Sequence, residues 1–140
     1  MAVLSPDRET GGILMGPEAL PNAVCVTQVS GPGLRAIRRR TFFLRDTEYC
    51  QGVLADNHAR YGIDYVGEWH SHVTPLHQLS HGDVDTLRRI INDTSYSFTQ
   101  FVCILAIVSQ DRRGESVAVE VRGYVVAPIG IQEMSLKVVV

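Results

Sequence analysis

Four residues in the stretch Trp69 to Asp83 have types and spacing suited to chemistry: His70, His72, Ser80 and Asp83. Two histidines two apart on an extended strand project from one face with their Cα atoms roughly 6.6 Å apart. Both imidazoles can then turn onto one ion at roughly 2.0 to 2.1 Å. Asp83 falls in the first turn of a following helix, where a short carboxylate can point back across the loop from Val73 to Leu79. Two histidines and one aspartate leave the fourth tetrahedral position open to water, the pattern of a catalytic rather than a structural zinc. Hydrolysis at such an ion also needs a base beside the water and a donor for the oxyanion. Ser80 can supply the hydroxyl. Glu68, two residues before His70 on the same face, is the local candidate for a base or an extra ligand. Each has a plainer reading. Ser80 and Asp83 also fit a helix capping box, and Glu68 fits a solvated or hydrogen-bonded strand residue. His77 and His81 lack ligand spacing and read as solvated loop histidines.

The elements that must place these groups follow from punctuation and periodicity. Gly11 to Gly16 is a short apolar run bracketed by glycines and stopped by Pro17, a buried strand. Asn22 to Val29 alternates well enough to be its antiparallel partner, with Val24 and Val26 on one face, until Gly31-Pro32-Gly33 breaks it. Arg35, Arg38, Arg39 and Arg40 form a basic loop leading to a short strand at Thr41 to Leu44. Asp46 or Thr47 caps a helix running to about Tyr61, with Tyr49, Val53 and Leu54 on its apolar side and Gly62 ending it. From Ile63 the period is two, which puts Ile63, Tyr65, Gly67, Trp69 and Ser71 on one face and Asp64, Val66, Glu68, His70 and His72 on the other. A second helix runs from Ser80 to about Asn92, with Val84, Leu87 and Ile91 inward and Arg88 and Arg89 outward. Phe101 to Val108 is a strand buried on both faces, and Gln110 to Gly114 turns into a half-exposed strand over Ser116 to Val126. The apolar tail from Met134 to Val140 is expected to be an edge strand or a subunit contact.

Composition narrows the partners. At 140 residues, 45% apolar and 20% charged, the chain fits one soluble globular domain with a real core. A formal charge of -2 gives no overall pull toward nucleic acid or acidic lipid, and no aromatic platform accompanies the arginine cluster. That cluster reads as a solvated loop or, more sharply, as a docking patch for an acidic partner. Three cysteines, Cys25, Cys50 and Cys103, stand in apolar or helical surroundings and are expected to be reduced thiols. The first residues show no basic n-region and no apolar run reaches about 18 residues, so a cytoplasmic, non-membrane protein is expected.

The chain resembles the JAB1/MPN/Mov34 metalloenzyme (JAMM) family, whose pattern is an upstream Glu followed by His-x-His-x7-Ser-x2-Asp. Glu9, in Glu-Thr-Gly-Gly-Ile-Leu-Met-Gly, completes that pattern with His70, His72, Ser80 and Asp83. The glycine-flanked strand, the helix before Gly-Glu-Trp-His-Ser-His and the apolar strand after the second helix also fall in family order. The resemblance implies an α+β fold of three-layer type, one JAB/MPN-like domain over residues 1–140 with a mixed central sheet flanked by helices. It implies one Zn²⁺ per chain held by His70, His72 and Asp83, with Glu9 as proton shuttle and Ser80 supporting the tetrahedral intermediate. It further implies hydrolysis of an isopeptide or peptide bond after the C-terminal glycine of a ubiquitin-like protein.

Two departures stand out. Proline often follows the second histidine directly, whereas Val73-Thr74 intervene before Pro75. Only eight residues precede Glu9, which leaves an expectation that one sheet edge is open or covered by another chain, a dimer partner included. Compactness resembles the bacterial branch, whose members include deconjugases in antiviral operons with activating and transfer enzymes for ubiquitin-like proteins, and others that trim sulfur-carrier proteins. A sulfur-carrier hydrolase and a non-catalytic interaction subunit are therefore the alternatives.

Overall fold

The computed structural model describes residues 4–17, 20, 22–73 and 75–139. The glycine-bracketed run forms strand β1, Gly11–Gly16, buried along its whole length. Its expected partner is much shorter, since only Gln28–Val29 (β2) joins the ladder. The reason is close approach. A Cβ on Gly16 would lie 1.9 Å from the Cys25 carbonyl oxygen, so residues 22–27 cross tightly over the end of β1 instead of running beside it. Val24 and Val26 still pack inward, against Leu14, Val66 and Trp69.

The arginine run is not a loop throughout. Ile37–Arg39 (β3) and Phe42–Leu44 (β4) form a separate two-stranded hairpin turning at Arg40 and Thr41. Other segments of this chain meet the edge of β1 that faces away from β5. Thr27 N–H donates to the Met15 carbonyl, Ser30 N–H to Ile13, and Glu9 N–H donates across to Arg39.

Helix α1, Thr47–Tyr61, starts where the Asp46 carboxylate accepts from the Tyr49 N–H and stops at Gly62, whose φ of 63° suits a residue without a Cβ. Strand β5, Asp64–His72, pairs antiparallel with β1 and parallel with β6, Phe101–Gln110. The parallel pairing requires a crossover, which α2, His81–Asn92, supplies. Strands β7, Val117–Ala127, and β8, Gly130–Met134, complete a six-stranded mixed sheet in the order β2-β1-β5-β6-β7-β8. With two helices among the described residues, the fold is α+β.

Both helices pack on the same sheet face. Ile13 and Met15 meet Cys50 of α1, while Phe101, Cys103, Leu105 and Ile107 meet Leu87 and Ile91 of α2, and Tyr65 touches both clusters. The layer on the opposite face is extended chain carrying Leu4, Val24 and Val26.

The β5 register corrects the strict alternation expected along this strand. Leu14 pairs with Gly67 but Met15 pairs with Tyr65, so Val66 is skipped as a bulge. Beyond it the phase inverts. Val66 joins Trp69 on the extended-chain side, and Tyr65 shares the helix side with Glu68, bridged by the Arg45 guanidinium.

The edge strand at the end of the chain is β8, upstream of the apolar tail, and Leu136 then folds over Gly123, where a Cβ would lie 2.6 Å from its side chain. Val117, Val119 and Val121 are about half exposed, because the outer part of β7 extends past β8. Cys50 and Cys103 are buried, whereas Cys25 is exposed despite its apolar neighbours in sequence. No helix among the described residues is long and apolar enough to cross a membrane.

Candidate metal centre

The β5 end and the α2 start build the centre. His70 and His72 sit on the helix side of β5 and are buried. Their Nε2 atoms stand 3.3 Å apart, and each faces Asp83, at 3.3 Å from His70 Nε2 to Oδ1 and 3.1 Å from His72 Nε2 to Oδ2. One ligand atom from each of the three lies within 4.8 Å of the others, so the group can hold a metal ion. The donor set fits a borderline-soft divalent ion, since two imidazoles and one carboxylate match zinc's preferences and leave a coordination position open. The second nitrogen of His72 supports this assignment, because Nδ1 lies 3.2 Å from the Leu76 carbonyl. Donating Nδ1–H there leaves Nε2 free as a ligand.

Asp83 has two duties. Its Oδ2 accepts from the Ser80 N–H at 2.7 Å while its own N–H donates to Ser80 Oγ at 3.1 Å, a complete capping box. The capping and ligand readings of Ser80-x-x-Asp83 are therefore compatible: helix capping is what aims the carboxylate at the histidines. Burial acts to raise the Asp83 carboxyl, but hydrogen bonds with His70, His72 and Ser80 outweigh it and hold the group far below the ordinary carboxylate range. For His72 burial works against the charged form, and bonds to Asp83 and the Leu76 carbonyl overcome it, raising its pKa.

Glu9 arrives by sheet register. Gly11 pairs with His70, Ser71 N–H donates to the Thr10 carbonyl at 2.8 Å, and Thr10 N–H donates to Ser71 Oγ at 3.0 Å. Continuing one residue places Glu9 across from His72 on the same face. The Arg39 carbonyl accepts from its N–H and Arg38 Nε donates to its carbonyl, so the hairpin holds its backbone on the other side. The Glu9 side chain is buried, and burial raises its carboxyl above the usual value although His72 and His70 pull it down.

Glu9, His70, His72, Ser80 and Asp83 line one cavity of about 560 Å³. Glu68 also lines it, bound to Arg45 at 2.5 Å rather than solvated and standing outside the ligand group. His81 is exposed, and His77 is exposed beside Glu120 at 3.2 Å, so neither joins the centre. Sequence reasoning missed that the hairpin residues Thr41 to Leu44, Arg45 and Arg89 wall the cavity. The apolar run at 42–44 was a signal for a strand, but nothing local to it indicated which site it faces.

The pH dependence of this cluster has a definite sign. In metal-free protein the Asp83 contribution is present above the ordinary value of 3.8 and disappears as pH falls through its depressed folded pKa. The His72 contribution is fully present below 6.5 and disappears as pH rises through its raised pKa. Both act between these values, so this pair stabilises metal-free protein most in weak acid. Metal uptake requires neutral imidazoles and strengthens with rising pH. The increase in melting temperature on adding zinc should therefore be larger at about pH 7.5 than at about pH 5.5. Equal increments would show that these histidines do not exchange protons for the ion.

A family model described as prokaryotic homologs of the JAB domain matches residues 2–121. Among solved structures, the chain is similar to the solution structure of protein DSY2949 from Desulfitobacterium hafniense, with a TM-score of 0.58 and 18% identity over 92% of this chain and 76% of that one. At that identity the likeness concerns the fold alone. The search of curated proteins gives no match.

Proposed function

We propose, from the premise that this chain belongs to the family of prokaryotic homologues of the JAB domain, that it is a zinc-dependent peptidase acting after the C-terminal glycine of a ubiquitin-like protein. The observation that carries the reading is the meeting of Glu9 with His70, His72, Asp83 and Ser80 in one cavity, from segments some sixty residues apart. Held by His70, His72 and Asp83, a zinc ion would supply Lewis acidity for the scissile carbonyl and make a water molecule more acidic at neutral pH.

The remaining work falls to the chain. Glu9 takes the proton of the attacking water on its carboxylate and passes it to the leaving amine. Its buried position just before β1, with its backbone bonded to Arg38 and Arg39 of the hairpin, holds that carboxylate at the site. Ser80 Oγ already accepts from the Asp83 N–H, so its own hydroxyl proton is available to the developing oxyanion. Phe42, Phe43, Leu44 and Leu76 give the cavity apolar walls suited to an extended tail. Strand β4 is paired only with β3 among the described residues, and its other edge offers main-chain groups to such a tail.

The direct test combines zinc analysis of purified protein with linear fusions of candidate ubiquitin-like proteins, the cleavage point being read by mass spectrometry with and without chelator. Chelator-sensitive cleavage after the terminal glycine is the expected outcome. Release of a single amino acid from a sulfur-carrier protein would move the substrate assignment, and no metal-dependent cleavage of any fusion would favour a non-catalytic interaction subunit.

A further inference from the structure

His70 differs from His72 in what holds it. Its Nε2 is directed at His72 and Asp83, so as a neutral ligand it must carry its proton on Nδ1. A buried N–H needs an acceptor, and metal-ligating histidines nearly always find a carboxylate, a carbonyl or a water for it. Here the neighbour of Nδ1 is a thiol: Cys103 Sγ lies 4.0 Å away. Cys103 is fully buried on β6, across the parallel ladder from Glu68 and among Leu87, Phe101 and Leu105. Among the described residues, Cys103 Sγ is the polar side-chain atom within hydrogen-bond reach of His70 Nδ1.

We infer that Cys103 is a positioning residue of the metal centre, accepting the Nδ1–H of His70 and so fixing the tautomer and ring orientation that present Nε2 to the ion. This rests on the metal reading of the site. It also makes the two histidines unequal. His72 is backed by a carbonyl at 3.2 Å and His70 by a weak, polarisable acceptor, which leaves the His70 ring less electron-rich as a ligand.

The test measures zinc affinity by competition with a chromophoric chelator for wild type, Cys103→Ala and Cys103→Ser, together with melting temperatures of the metal-free proteins. Alanine should weaken zinc binding roughly ten- to hundredfold, and serine, which restores an acceptor, should recover most of the loss. A purely packing role would instead follow the melting temperatures without separating serine from alanine. Nitrogen-detected NMR of zinc-loaded wild type gives a second readout that needs no variant: a slowly exchanging proton on His70 Nδ1. Unchanged affinity in Cys103→Ala, an equal loss in both variants, or zinc on Nδ1 would overturn the assignment. Wild type that takes up no zinc would instead remove the metal reading beneath it.

Discussion

Glu9→Gln is expected to reduce kcat/KM by roughly 10²- to 10⁴-fold while zinc affinity changes by no more than a few-fold. The substitution keeps size and hydrogen-bonding reach but removes the ability to accept a proton. The fold should not register it, because the backbone contacts of Glu9, to Arg39 and Arg38, do not involve the carboxylate. Metal affinity should survive because the three-residue ligand group is complete without Glu9. Steady-state kinetics on a cleavable fusion and a zinc titration of the same preparation together check this. Loss of zinc along with turnover would make Glu9 a ligand, and normal turnover would remove it from the mechanism altogether.

Asp83 should show the opposite separation. Both Asp83→Ala and Asp83→Asn lose the anionic ligand, and zinc binding at micromolar concentration should vanish in each. Their metal-free stabilities should differ. Alanine also abolishes the Asp83 half of the capping box, costing about 0.5–1.5 kcal/mol, the net worth of one hydrogen bond. Asparagine keeps an oxygen that can accept the Ser80 N–H now bonded to Oδ2, and should retain part of that. Chemical denaturation of metal-free proteins with a parallel zinc titration distinguishes the two duties. If both variants unfold at the same denaturant concentration as wild type, capping by Asp83 is not a stabilising contribution.

Local punctuation made several elements readable in advance. Asp46 and Gly62 mark α1, Ser80 marks α2, and the glycines with Pro17 bound β1, because caps and turns depend on neighbours within a few residues. The ligand trio was legible for the same reason: two residues share one strand face and the third lies one short loop away. Register and close approach are not local. Whether residues 22–27 run beside β1 depends on Gly16 meeting Cys25, and the phase of β5 depends on which residue Met15 faces. The arginine run looked like a loop because charge hides the short alternation of Ile37, Phe42 and Leu44 that folds it into a hairpin. Glu9 could be chosen only through the family resemblance, since its place beside His72 is a property of strand pairing. Cys103 carried no signal at all, being one residue of an eight-residue apolar run until β6 lies parallel to β5.

The skipped residue in β5 also decides which side chains can work together. Tyr65 and Glu68 are three residues apart yet share the helix side, which strict alternation forbids; the unpaired Val66 absorbs the extra residue, so the aromatic anchor and the two metal-facing histidines all turn to the layer that holds Asp83. The bulge thus works as a change of reading frame within one strand, letting the segment that anchors the core at Tyr65 also serve the metal centre at His70 and His72.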